Sequence, residues 1–183
     1  MKTDARVRYT KRVIQESFLK LIKEQQVNKI TVKSICDLSE INRATFYRYY
    51  TDPYDLLRQI ENEFILAMQS LIESSDNVNI THTVITILNA IKENGEMYTA
   101  LISNNGDNTF IKRVLTESFR IKKPSMEELF PTMPPTHQKW FYYFMSNGFI
   151  SILIAWIQNG MQEDPEEVAQ FINRINHILL KEI

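Results

Sequence analysis

The stretch "TVKSICDLSEINRATFYRYYTDPYDLL", residues 31–57, decides the fold. Thr31 is a good N-cap, and Val32, Ile35 and Cys36 follow at helical spacing, which predicts a short helix with one buried face. The tetrapeptide "SEIN" breaks that helix, and Asn42 is placed to cap the next one. Asp52 followed by Pro53 both ends the third helix and opens a fourth, because aspartate is a favoured N-cap and proline a favoured first helical residue. Asp55, three residues after Asp52, completes a shorter-armed capping box.

The segment between Asn42 and Pro53 has two unlike sides. On a helical wheel Arg43, Ala44, Tyr47 and Arg48 share one face, while Phe46, Tyr49 and Tyr50 lie roughly opposite. A helix, a tight turn and a second helix that presents arginines is what insertion into a DNA major groove requires. Arginine can fork to O6 and N7 of guanine, and the short Ala44 and Thr45 allow close approach and contact with a thymine methyl. Thr31, Lys33, Tyr47 and the amides beyond Asp52 are placed to reach phosphates, and Asn42 stands at the start of the reading helix. Pattern alone also fits a plain helical core, since surface arginines usually mark nothing more than a solvated face.

Working outward, the charge distribution separates two parts of the chain. Residues 1–52 hold eleven Lys/Arg against six Asp/Glu, and residues 53–183 hold ten against sixteen, so a near-neutral total of -1 conceals a basic first part and an acidic second. The basic part suits an anionic partner such as double-stranded DNA. The single cysteine, Cys36, excludes an intramolecular disulfide, and no leader sequence is evident, so a reducing cytoplasm is expected.

Residues 31–57 resemble the DNA-binding module of the TetR/AcrR family of bacterial transcriptional regulators. The resemblance rests on Thr31 opening the second helix, on the run "TFYRYY" at 45–50, and on "DLL" at 55–57. It is specific over about the first third of the chain. "GFISILIAWIQNGMQEDPEEVA", residues 148–169, looks more weakly like the paired final helices of one branch of that family. The resemblance implies that Arg43, Ala44, Thr45, Tyr47 and Arg48 face the groove and that Thr31 and Tyr47 contact phosphates. It also implies a boundary, with residues 1–52 binding DNA and 53–183 forming an all-helical effector and dimerisation domain. Two positions depart from the family pattern. Glu40 stands where many members carry glycine in the tight turn, and a left-handed conformation there costs a non-glycine residue about 1 kcal/mol. Pro53 and Tyr54 stand where many carry a lysine, which removes one expected phosphate contact.

The rest of the chain reads as helices: residues 9–25, with Ile14, Phe18, Leu21 and Ile22 on one face, then 52–72, 81–92, 96–102, 109–122, one after Thr136 and a last one from Asp164 to about Lys181. Residues 74–79 and 103–108 read as loops, and 124–135, with four prolines, as an irregular connector. The run "WFYYFMSNGFISILIAWI", residues 140–157, carries no charge and touches the lower limit for a membrane span. Asn147, two serines and Gly148 interrupt it, and no second apolar segment or basic flank sets a topology, so no membrane partner is expected. Burial on all sides, in the chain's own core or at a subunit interface, is the expected explanation. A four-helix homodimer interface would draw on Ile152, Trp156, Ile172, Ile175 and Leu179, with Ile178 also on the last helix's apolar stripe.

Phe64, Met68, Met97, Tyr98, Phe110, Phe141, Tyr142, Met145 and Phe149 are candidates for an effector pocket, although residues of these types more often form plain core. Their ligand would be small and apolar or aromatic. Its binding would shift the population towards a state whose reading heads no longer match the operator. The favoured reading is a homodimeric repressor; an activator, or a protein-interaction adaptor on the same scaffold, fits the same residues. An enzyme is not expected: His82, His137 and His177 are scattered, and neither a phosphate loop nor a nucleophile elbow occurs. No cofactor or metal is implied.

Overall fold

The computed structural model describes residues 5–74, 80–103 and 130–181, and every regular element among them is helical. In order these are α1 (Ala5–Glu24), a single 3-10 turn (Val27–Lys29), α2 (Val32–Ser39), α3 (Arg43–Tyr47), α4 (Pro53–Ser74), α5 (Ile80–Glu93), α6 (Gly95–Ser103), α7 (Pro135–Gln158) and α8 (Pro165–Lys181). The expected helix at 109–122, Phe110, and nearly all of the expected loops at 74–79 and 103–108 lie outside the described residues. α1 begins four residues earlier than the apolar pattern places it, because Ala5 and Arg6 are good helix formers and no breaker precedes Tyr9.

The described residues divide into two compact units. The first takes residues 5–64 and 96–103, and the second takes 65–74, 80–95 and 130–181. The division cuts α4 between Phe64 and Ile65, so the first half of that helix packs with α1–α3.

In the first unit, α1 packs on α2 and α2 on α3. Ile14, Phe18 and Ile22 of α1, Ile35 and Cys36 of α2, Phe46 of α3 and Leu56 and Ile60 of α4 are buried. Burying side chains of this size contributes about 1.5–3 kcal/mol each, enough to hold three short helices that would not persist alone. α6 belongs to this unit from Glu96 onwards, and Lys23 Nζ of α1 pairs with Glu96 Oε2 at 3.4 Å on the surface.

In the second unit, α5 packs against α8. Val84, Ile87, Leu88 and Ile91 of α5 are buried, as are Ile150, Leu153, Ile154, Trp156 and Ile157 of α7 and Val168, Ala169 and Ile172 of α8. The α7–α8 turn uses left-handed backbone at Gly160 (φ 78°) and Met161 (φ 53°), and Met161 N–H donates to Trp156 O at 2.9 Å. Trp156 Nε1 donates across the turn to Glu163 O at 3.2 Å. The Met161 side chain packs over Gly95 at the start of α6: a Cβ there would sit 2.7 Å from Met161 Cε, the movable end of a flexible side chain. Gln138 pins the start of α7, with its Nε2 donating to the carbonyls of Phe130 and Met133 at 3.0 and 2.9 Å.

Of the two places expected to bury α7, the chain's own core covers only part of it: 28% of its most apolar window is buried, and Trp140 and Phe144 are 62% and 63% exposed. Apart from Gln138, the fully buried residues of α7 all lie from Ile150 onwards, because an all-round apolar pattern carries no information about which side the chain covers. By length and composition alone α7 could cross a membrane. On α8, Ile178 is 63% exposed and lies off the buried stripe formed by Val168, Ala169 and Ile172.

Candidate nucleic-acid interface

The interface candidate is built by a chain of caps. Thr31 Oγ1 accepts from Ser34 N–H at 3.1 Å while Ser34 Oγ accepts from Thr31 N–H at 3.1 Å, a reciprocal capping box at the start of α2. α2 ends at Glu40, whose backbone is left-handed (φ 55°, ψ 35°), and both Glu40 N–H and Ile41 N–H donate to Cys36 O. This is a Schellman-type closure in which glutamate occupies the position glycine usually takes. Asn42 Oδ1 then accepts from Thr45 N–H at 2.7 Å and starts α3. Three residues therefore turn the chain through the angle between the two helices.

The buried side of α3 fixes which way the other side looks. Phe46 and Tyr50 are almost fully buried, with ring centroids 5.6 Å apart, and Phe46 meets Tyr47 edge-on at 5.7 Å. Tyr50 N–H donates to Phe46 O at 3.0 Å, so the helical path continues through Arg48 beyond the regular end of α3. Arg43, Ala44, Tyr47 and Arg48 are consequently exposed along one continuous face, Tyr47 by 56%, and Thr45 is half-buried beside them. Arg43 and Arg48 form no ion pair among the described residues, which leaves both guanidinium groups available to an incoming anion. Thr31 and Lys33 are exposed at the start of α2. Asn42 is exposed as well, with its carbonyl oxygen committed to the cap.

The α3–α4 junction is held by two aspartates. Asp52 Oδ1 accepts from Asp55 N–H at 2.8 Å, and Asp55 Oδ2 reaches back to accept from Thr51 N–H at 2.9 Å. The Thr51 amide, with smaller contributions from Arg58 and Gln59, holds the Asp55 carboxyl below its ordinary value. Gln59 also donates to Tyr49 O at 3.2 Å and ties the end of the α3 segment to α4. Sequence reasoning missed Ser34 and Gln59. The first had a local signal at N3 of a capped helix; the second had none. Tyr54, exposed on the first turn of α4, is a further hydroxyl donor beside this junction.

The other candidates fall as follows. Phe64 and Tyr98, in the first unit, pack edge to face at 4.4 Å and both are buried, with Met97 half-buried next to Tyr98. Met68, in the second unit, is buried, and Phe141, Tyr142, Met145 and Phe149 of α7 are half-buried. Of the residues considered for an oligomer interface, Trp156 and Ile172 are buried in the chain's own fold, and Ile152, Ile175 and Leu179 are half-buried. The exposed apolar side chains of these helices are Trp140, Tyr143 and Phe144 of α7 and Phe171, Ile178 and Leu180 of α8. A groove of about 310 Å³ between α7 and α8 is lined by Ile152, Trp156, Glu163, Glu167, Phe171 and Arg174, among others.

Comparison with known proteins places these features in context. The TetR_C_8 family model, which describes a transcriptional regulator C-terminal region, matches residues 78–177. The chain is 17% identical over 164 residues to the uncharacterized HTH-type transcriptional regulator YxbF of Bacillus subtilis (strain 168), covering 86% of this chain and 42% of that protein. It thus spans less than half the length of that curated relative. Among solved structures, the fold is similar to that of the dihydroxyacetone kinase operon activator DhaS, with a TM-score of 0.60, 19% identity and coverage of 95% and 97% of the two chains. It is also similar to a TetR transcriptional regulator from Streptococcus agalactiae 2603V, with a TM-score of 0.58, 20% identity and coverage of 94% and 96%.

Proposed function

The chain belongs to the TetR family of transcriptional regulators, and on that premise we propose that it is a homodimeric repressor that leaves a palindromic operator when a small, largely apolar effector binds. One observation carries the reading: Arg43, Ala44, Tyr47 and Arg48 are exposed on one face while Phe46 and Tyr50 anchor the opposite face in the core. Arg43 and Arg48 read base edges, Ala44 and Thr45 allow close approach, and Thr31, Lys33, Asn42 and Tyr47 hold phosphates and register. Tyr54 adds a hydroxyl where a lysine would otherwise supply a charge. Residues 1–52 do the reading, and residues 53–183 bind the effector and the second subunit.

The dimer follows from unspent apolar surface. Trp140 and Phe144 of α7 and Phe171, Ile178 and Leu180 of α8 expose large side chains in a solvent that disfavours them, and a second copy is the partner of matching chemistry. Two reading heads related by a two-fold axis then meet a palindrome. Effector binding favours a state whose heads no longer match the half-site spacing, which lowers DNA affinity. The reading needs no catalytic group or cofactor, and a protein that acts on DNA with one free buried thiol suits the cytoplasm.

The deciding experiment is an anisotropy titration against duplex from the intergenic region beside the gene, at two salt concentrations and with scrambled duplex as competitor. Salt-sensitive, competitor-resistant binding is the expected result; binding that the scrambled duplex abolishes overturns sequence-specific regulation from that site. A second reading is activation, since the fold is shared with a protein named as an operon activator. A reporter driven from the bound region gives the sign of control.

A further inference from the structure

We propose that the Tyr98 hydroxyl is the hydrogen-bonding anchor of the effector, and that the effector is an uncharged, largely apolar molecule carrying a single acceptor such as a carbonyl. The inference rests on the effector reading above and narrows its chemistry.

Tyr98 is 2% exposed, and its hydroxyl has no hydrogen-bond partner among the described residues. The ring cannot readily swing the oxygen towards solvent, because it stands edge-on to the buried Phe64 with centroids 4.4 Å apart and planes at 84°. Phenylalanine would fill the same volume without leaving a buried polar atom unpaired, so the oxygen calls for an explanation beyond packing. Tyr50 also buries a hydroxyl without a hydrogen-bond partner among the described residues, but its surroundings differ: Gln15 and Glu63 are polar neighbours that act on it, and Lys11 lies over its ring at 5.8 Å. Burial alone acts on the Tyr98 hydroxyl, with no ionised group contributing among the described residues.

That apolar setting selects the ligand. A carboxylate brought to Tyr98 would lose its hydration with no cation among the described residues to replace it, whereas a neutral carbonyl costs less to desolvate and still accepts a hydrogen bond from the phenol. A pure hydrocarbon would leave the hydroxyl unpaired. The position also explains how binding could be felt at the DNA. Tyr98 lies on α6 within the compact unit that carries α3, and Glu96, two residues earlier on α6, pairs with Lys23 of α1.

The test uses the full chain and three matched probes: 2-acetonaphthone, its carbonyl-free analogue 2-ethylnaphthalene, and the anion 2-naphthoate. Affinities are measured by equilibrium dialysis for the wild type and for Tyr98→Phe, and the carbonyl stretch of bound ketone is followed by infrared difference spectroscopy. The wild type should bind the ketone about tenfold more tightly than the hydrocarbon. Tyr98→Phe should bring the two within about twofold and move the carbonyl stretch to the value of an unpaired ketone. A ketone preference or a band position unchanged in Tyr98→Phe, as a hydroxyl satisfied only by water would give, overturns the anchor and leaves the effector reading standing. Tighter binding of 2-naphthoate than of the ketone overturns the uncharged class. If no probe binds the wild type or releases its DNA, the effector reading falls and this inference with it.

Discussion

Ile41 N–H donates to Cys36 O at 3.1 Å, closing the end of α2 around Glu40, which holds a left-handed backbone without being glycine. The turn that aims α3 therefore carries stored strain of about 1 kcal/mol. Glu40→Gly should relieve it and raise stability by up to about 1 kcal/mol, the gain being reduced by the greater freedom of the unfolded glycine. Glu40→Val should lower stability by more than that, since a β-branched side chain fits the left-handed region worst. Urea denaturation of the two variants checks the pair, and equal midpoints would show that the turn is not strained.

Arg43 and Arg48 are exposed and Phe46 is buried on the same five-residue helix and its extension, so binding and folding should separate cleanly there. Arg43→Ala and Arg48→Ala should each weaken specific DNA binding by about 1–3 kcal/mol while leaving stability within about 0.5 kcal/mol. Phe46→Ala should instead cost about 3–5 kcal/mol of stability. Anisotropy and thermal melts on the same preparations make the comparison. Arginine variants that bind the duplex as well as wild type would remove α3 from the interface.

What was legible in the sequence was local. Thr31, Asn42 and Asp52 announce caps because each bond spans three residues, and the wheel separates Phe46 and Tyr50 from Arg43 and Arg48 because one face of α3 is apolar. Glu40 was legible as a left-handed position through resemblance, not through its own chemistry. The contacts that closed the second unit were not legible. Met161 against the backbone of Gly95, and Trp156 reaching the Glu163 carbonyl, depend on where the chain returns, and neither residue type signals that. α7 gave no side to choose, being apolar all round, and the wheel of α8 did not separate the exposed Ile178 from the buried Ile172.

The α3–α4 junction should be acid-sensitive. Asp55 has its carboxyl lowered below 3.8, first by the Thr51 amide and then by Arg58 and Gln59. A carboxylate depressed in the folded state contributes stability that is present above its unfolded pKa and lost as pH falls through the folded one. The loss therefore begins near pH 4 and continues below it. Asp55→Asn keeps an acceptor for Thr51 but carries no titrating charge, so it should flatten this part of the melting temperature against pH. Asp52→Ala, by contrast, removes a cap and should cost about 0.5–2 kcal/mol at neutral pH. An unchanged acid slope in Asp55→Asn would assign the sensitivity to other carboxylates.

The exposed apolar residues of α7 and α8 predict a separation of assembly from folding. Trp156 and Ile172 are buried in the chain itself, so replacing them would damage the core before it tested any interface. Phe144 and Ile178 are each 63% exposed, and a charge at either position costs the lone chain little. If two copies pair through these helices, Phe144→Glu and Ile178→Glu bring like charges together across the two-fold axis and place carboxylates that must shed water inside the contact. Light scattering at micromolar concentration should give a dimer mass for the wild type and a monomer mass for the double variant, with helical circular dichroism preserved. The monomer should then bind an operator half-site weakly and lose its preference for the palindrome, because the second reading head no longer adds its contacts. A wild type that is already monomeric rejects the dimer, whereas a double variant that stays dimeric and binds the palindrome unchanged moves the interface away from these two residues.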